Sequence, residues 1–244
     1  MNPTPEDLLW LSQSLEEEYG RGAAYPDTPP LSGEPGSALG TLVVTMLSQA
    51  SNDEGTRKVY RAMRERFPRW GELLAASHEE VVEVLRPGGL AESKAQNVRS
   101  TLGIIREDFS EYTLEPLRKR SNEEVYAYLT NLPGVGPKTA GCVLLFALDR
   151  EAFPVDTHVA RISRRTGLVP GKYSPEKIQA FLEPLVPRGE SLALHLNLLE
   201  HGRRICRART PRCDECILFD KCDRIGISEY GRDGKRGETT VTKE

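Results

Sequence analysis

Four of the five cysteines in this 244-residue chain fall within one stretch of 17 residues, Cys206-x6-Cys213-x2-Cys216-x5-Cys222. An odd total, with four thiols on one short segment, argues against a disulfide framework and for metal ligation in a reducing compartment. Zinc ribbons usually present two short Cys pairs separated by a longer spacer. Here there is a single C-x2-C pair, and a compact loop of this kind can wrap one cubane with a thiolate at each iron corner. Zinc is the second reading. The fifth cysteine, Cys142, lies in an apolar helical stretch and is expected to be a buried packing thiol.

Around that loop the chain reads as helical. Almost every periodic segment has the helical period, and no run alternates convincingly as a strand would. Leu8, Leu9, Leu11 and Leu15 mark an amphipathic helix, and a Pro/Gly-rich connector follows from Gly20 to about Gly36. Leu42–Leu47 opens a buried helix. Ser77 with Glu80, and Ser121 with Glu124, are capping-box pairs that start two further helices, the second running to Asn131. Gly88-Gly89 breaks the chain before a helix over about Glu92–Asp108. The expected fold class is all-α and two-lobed. A helical domain covers 37–150, residues 1–36 and 151–225 form the second lobe, and 226–244 is a polar tail expected to be disordered.

The net charge of −3 does not announce a nucleic-acid partner, but its distribution is informative. Residues 1–39 hold seven acids against Arg21, a local balance of −6, so the remaining chain carries +3. No apolar stretch approaches the ~20 residues of a membrane helix. The opening MNPTPEDLLW has no basic n-region before a hydrophobic run. The chain therefore reads as intracellular.

Leu132-Pro133-Gly134-Val135-Gly136-Pro137-Lys138-Thr139 separates two helical segments. Gly134 and Gly136 permit φ > 0 and clear side chains from the turn, so backbone N–H groups around Val135 can point outward together. Pro137 suits a first helical turn, where its missing N–H is not needed. With the positive end of the helix dipole the unit forms a cradle for one phosphate, a contact that positions a protein on a nucleic-acid backbone without reading sequence. A tight helical hairpin without a ligand is an equally good reading of the spacing alone.

LPGVGPKTA resembles the helix-hairpin-helix of the DNA glycosylase superfamily that includes endonuclease III. Val155-Asp156-Thr157-His158, farther along, is similar to the VDTH segment of the same enzymes, and C-x6-C-x2-C-x5-C is similar to their [4Fe–4S] segment. The resemblance runs from about Leu42 to Cys222. It implies that Lys138 attacks C1′ of a damaged nucleotide and displaces the base. Ring opening to an imine then permits β-elimination and strand cleavage. It also implies that Asp156 stabilises the cationic sugar and assists proton transfer, as carboxylates do at the oxocarbenium-like transition state of glycoside hydrolysis. Lysine is a poor nucleophile while protonated, with a reference pKa of about 10.4; the positive end of a helix dipole favours the neutral amine, which can then form a Schiff base. Asp156 is in addition a good helix N-cap, and His158 is expected to pack or hydrogen-bond locally.

The resemblance assigns the cluster to Cys206, Cys213, Cys216 and Cys222, and a backbone-contacting loop to Arg207, Arg209 and Arg212. Arg161, Arg164 and Arg165 extend the basic surface in this reading. An enzyme acting at C1′ in a duplex must extrude the nucleotide and fill the gap. Gln49 corresponds to the family's polar wedge and Leu90 to the apolar plug that intercalates opposite. Lys94-Ala95 and Asn97 continue the family pattern after the plug. Ala91 stands where the best-known bacterial enzymes carry an aromatic residue, and Gln49–Asp53 is spaced differently from their QATD. The implied activity is a bifunctional DNA N-glycosylase and AP lyase that removes oxidised pyrimidines in base excision repair. Its implied partner is double-stranded DNA with damaged bases or AP sites, its implied state a monomer away from membranes. The alternatives are a monofunctional adenine- or mismatch-specific glycosylase, and a non-catalytic helix-hairpin-helix DNA-binding protein.

Overall fold

The structure, a computed structural model, describes residues 3–21 and 37–227. The helices among them are α1 (Pro5–Tyr19), α2 (Ala38–Leu47), α3 (Asp53–Arg66), α4 (Trp70–Ala75), α5 (His78–Leu85) and α6 (Ala91–Phe109). They continue as α7 (Asn122–Thr130), α8 (Pro137–Ala147), α9 (Thr157–Arg165), α10 (Pro175–Leu182) and α11 (Ser191–Arg204). Short 3-10 turns such as Arg86–Gly88 join some of them, and no strand occurs among the described residues, so the all-α class holds. The chain divides into two compact units, Pro26–Pro154 and Met1–Tyr25 with Val155–Glu244. The Pro/Gly connector from residue 22 and the tail from residue 228 lie outside the described residues.

In the Pro26–Pro154 unit, α2 has no charged residue and all ten of its residues are buried. A helix apolar on every side belongs in a core rather than on a surface. It packs against α8 and α3, while α7 also lies on α8 and α5 lies on α6 and α3. Leu42, Met63, Leu85, Leu102 and Val143 are fully buried within this cluster, each worth roughly 1.5–3 kcal/mol of transfer energy. The helix starts are chemically fixed. Ser77 Oγ accepts from Glu80 N at 3.2 Å and Glu80 Oε2 accepts from Ser77 N at 3.0 Å. Ser121 and Glu124 repeat the exchange at 3.2 and 2.7 Å. Both boxes are those the sequence marks. α3 is not marked there, although Asn52 Oδ1 accepts from Gly55 N at 2.8 Å and caps it.

In the other unit, α1 packs along α11, which also lies on α9, and α10 packs on α9. Thr4 and Asp7 form a capping box at the start of α1, and Leu8, Leu11 and Leu15 are the stripe that α1 buries. No helix of the described residues is long and apolar enough to cross a membrane.

Candidate functional site

The hairpin between α7 and α8 is built by the Leu132–Gly136 turn. Leu132 N donates to Leu129 O and Val135 N to Leu132 O, each at 3.1 Å. Gly134 has φ +74, and a Cβ there would lie 2.5 Å from Asn97 Nδ2, so glycine is required on both counts. Gly136 differs from the expectation. It is the N-cap of α8 with φ −98 and ψ 179, an extended backbone open to any residue, and a Cβ would meet nothing within 4 Å. Its glycine keeps that side of the turn bare for an approaching group. Val135 has its side chain in the core and its N–H in the turn, so it shapes the hairpin from within. From α6, Thr101 Oγ1 donates to Pro133 O at 3.2 Å and braces the turn. Pro137 is the first residue of α8, which sets half-buried Lys138 at the second position.

Two further loops of the same unit meet this hairpin region. Gln49, just past α2, donates from Nε2 to Gly134 O at 3.0 Å. Ala50 beside it has φ 51, and its carbonyl oxygen lies 3.9 Å from where a Gly89 Cβ would stand. Leu90 has φ 53 and ψ 35 and is 59 % exposed. Left-handed backbone costs a non-glycine residue roughly 1–2 kcal/mol, and such strain gathers at working sites. An exposed leucine held in a disfavoured conformation is therefore a functional candidate. Thus Gln49, the loop of Leu90 and the hairpin share one face of this unit.

Asp156 and the cysteines belong to the other unit. Asp156 Oδ1 accepts from His158 N and Val159 N, each at 2.8 Å, making the carboxylate the N-cap of α9. The cap uses Oδ1 only. His158 packs on Gly202, where a Cβ would come within 2.5 Å of Nδ1, and that nitrogen lies 3.1 Å from Arg161 Nη2. Burial pulls the His158 pKa below the ordinary imidazole value.

The arginines expected to extend the basic surface do something else. Arg161 donates to Cys206 O and Gly202 O, both at 2.8 Å. Arg164 donates to Tyr173 O at 2.6 Å. Arg165 donates to Arg207 O at 2.6 Å, Ala208 O at 2.8 Å and Cys206 Sγ at 3.4 Å. Guanidinium forks satisfy otherwise orphaned loop carbonyls in this way, and composition alone could not separate that use from phosphate binding. Arg207, Arg209 and Arg212 are exposed on the loop so held, and Arg212 is forked onto Glu215.

All four cysteines of the C-terminal run line one pocket, together with His201, Arg165 and an apolar rim that includes Ile162, Ile205, Pro211 and Leu218. His201, 1 % exposed, bridges Tyr19 Oη at 3.0 Å on Nδ1 and Cys216 Sγ at 3.5 Å on Nε2. Burial lowers its pKa to about 4. Burial likewise raises the thiols, Cys216 to about 12 and Cys222 to about 11, so thiolates here need a cationic partner. Among the described residues no three His, Cys, Asp or Glu side chains gather closely enough to hold a single metal ion. Four sulfurs thus surround one pocket, and the Arg165 guanidinium donates to one of them, Cys206 Sγ. Tyr19, Lys94 and His201 are the residues that sequence reasoning left without a role, because their partners are distant in sequence or are backbone atoms. Cys142 is buried, as expected.

Comparison with known proteins agrees with this architecture. Residues 43–188 match the HhH-GPD superfamily base excision DNA repair protein family. Endonuclease III of Thermotoga maritima is 33 % identical over 182 residues, spanning 75 % of this chain and 81 % of that protein. A solved non-covalent endonuclease III–DNA complex superposes with a TM-score of 0.75 at 26 % identity, covering 91 % of this chain and 96 % of the other. A trapped endonuclease III–DNA covalent intermediate gives 0.74 at 26 %, covering 91 % and 97 %. The chain belongs to the endonuclease III family of the HhH-GPD superfamily of base excision DNA repair proteins.

Proposed function

We propose that this protein is a bifunctional DNA glycosylase and AP lyase that removes oxidised pyrimidines from duplex DNA. The observation that carries the reading is Lys138 at the second position of α8, directly behind a hairpin that leaves open space at Gly136. In this reading a phosphate rests on the hairpin, as anions do at helix N-termini, and Lys138 Nζ attacks C1′ of the extruded nucleotide. The C1′–N bond to the base breaks, the base leaves with a proton, and the sugar opens to a Schiff base on Lys138. Loss of a C2′ proton then expels the 3′ phosphate. Asp156, anchored through Oδ1, holds negative charge for the cationic sugar and relays the protons. Endonuclease III has been solved as a covalent intermediate with DNA, which favours a covalent route in this relative also.

Gln49 and Leu90 fill the space left by the extruded nucleotide, and Arg207 and Arg209 meet the DNA backbone. Cys206, Cys213, Cys216 and Cys222 hold a [4Fe–4S] cluster in the pocket they line. The cluster cross-links the loop that carries those arginines; the nucleophile and the aspartate come from elsewhere in the chain. The test is excision from a duplex with one oxidised pyrimidine, alongside iron and acid-labile sulfide analysis. Asp156→Asn should lower excision by about 10² or more while leaving four irons and four sulfides per chain. Unchanged excision in Asp156→Asn, or zinc in place of iron and sulfide, would overturn the assignment.

A further inference from the structure

We propose that Lys94 is a positioning residue that locks the Gly88–Leu90 loop in the conformation presenting Leu90 to the duplex; this rests on the reading of Leu90 as the plug. Lys94 is only 4 % exposed, although it carries an ammonium on the first turn of α6. Both circumstances oppose a cation there, one by desolvation and the other by the positive end of the helix dipole. Burial accordingly lowers its pKa. A residue retained against two unfavourable terms calls for a specific contact, and the contact is clear. Nζ donates to Gly88 O at 2.7 Å in a buried bond, while the backbone N of the same residue donates to Leu90 O at 3.0 Å.

Lys94 therefore grips the loop on both sides of Leu90's strained backbone. Gly88 is in turn wedged on α3, where a Cβ would stand 3.1 Å from Val59 Cγ2. Gly89, at φ +70, lies beside Ala50, next to Gln49. With the Nζ bond removed, what remains is a left-handed leucine whose alternatives are more comfortable, and the exposed side chain loses its fixed direction.

The variants are Lys94→Met, which keeps the stem and the backbone N–H but removes the side-chain donor, and Leu90→Ala as reference. Single-turnover excision is read on a paired lesion in duplex DNA, strand cleavage at a preformed AP site in single-stranded DNA, and unfolding temperature on the intact protein. Lys94→Met should slow duplex excision by about tenfold or more, the scale of a misplaced substrate-positioning group. Cleavage in the single strand should stay within about twofold, since no base has to be extruded there. Its unfolding temperature should not fall, because a buried cation has been replaced by an apolar side chain of similar volume. The double variant should be no slower than Leu90→Ala alone, as for two parts of one device. Wild-type duplex excision in Lys94→Met with an impaired Leu90→Ala would overturn the role of Lys94. An equal loss on both substrates, or a fully additive double variant, would do the same. A Leu90→Ala variant at wild-type rate would instead overturn the plug reading and the proposal with it.

Discussion

At the scale of single residues, His158 ties the start of α9 to acid stability. Its Nδ1 faces the Arg161 guanidinium, and burial keeps the ring neutral below the pH at which a free imidazole charges. Between the lowered folded value and the unfolded value of about 6.5, the unfolded chain binds the extra proton, so stability rises with pH across that window. Stability should therefore fall as pH drops below about 6.5. Urea midpoints between pH 7.5 and 5 check this: His158→Gln should flatten the slope, whereas an unchanged slope would contradict the assignment. Such roles are invisible in sequence. His158 and Asp156 are legible as neighbours, but the clearance at Gly202 that lets His158 pack comes from α11, 44 positions away.

At the scale of elements, the two glycines of the hairpin should separate stability from binding. Gly134→Ala combines a positive φ with a collision against Asn97 and should destabilise by about 1–3 kcal/mol. Gly136→Ala, in extended backbone and open space, should change stability by less than about 1 kcal/mol and weaken DNA binding instead. Thermal melts and DNA titrations of the pair check this, and equal destabilisation by both would contradict it. Local chemistry made several elements readable. Ser77-x2-Glu80 and Ser121-x2-Glu124 declare their helices because the box needs only residues three apart, and α2 is unmistakable because nothing in it is charged. α3 was not marked: its buried Thr56, Val59, Tyr60 and Met63 keep helical spacing but are outnumbered by charges, and the available sign was Asn52 as its cap. At Gly136 the sequence permits a positive φ that the turn does not use, because spacing reveals which residues a turn contains and not the conformation each adopts. The arginines of α9 depart from the expected basic surface for a related reason: a guanidinium bound to loop carbonyls has the same sequence signature as one facing solvent.

At the scale of the whole molecule, the chain carries −3 overall, but its strong acidity lies in residues 1–39, and DNA binding must rest on local positive charge. Arg207 and Arg209 are exposed, whereas Arg212 is already paired with Glu215. Replacing Arg207 or Arg209 by Ala should each reduce the slope of log K against log salt by about 1, with a smaller change for Arg212. Titrations from low to moderate salt check this, and a largest effect at Arg212 would contradict it. The central claim is covalent chemistry at Lys138, and borohydride trapping on a duplex with one oxidised pyrimidine tests it most directly. The account predicts an adduct that maps by mass spectrometry to Lys138 and disappears in Lys138→Gln. Base excision without any trapped adduct, or an adduct that persists in Lys138→Gln, would contradict it.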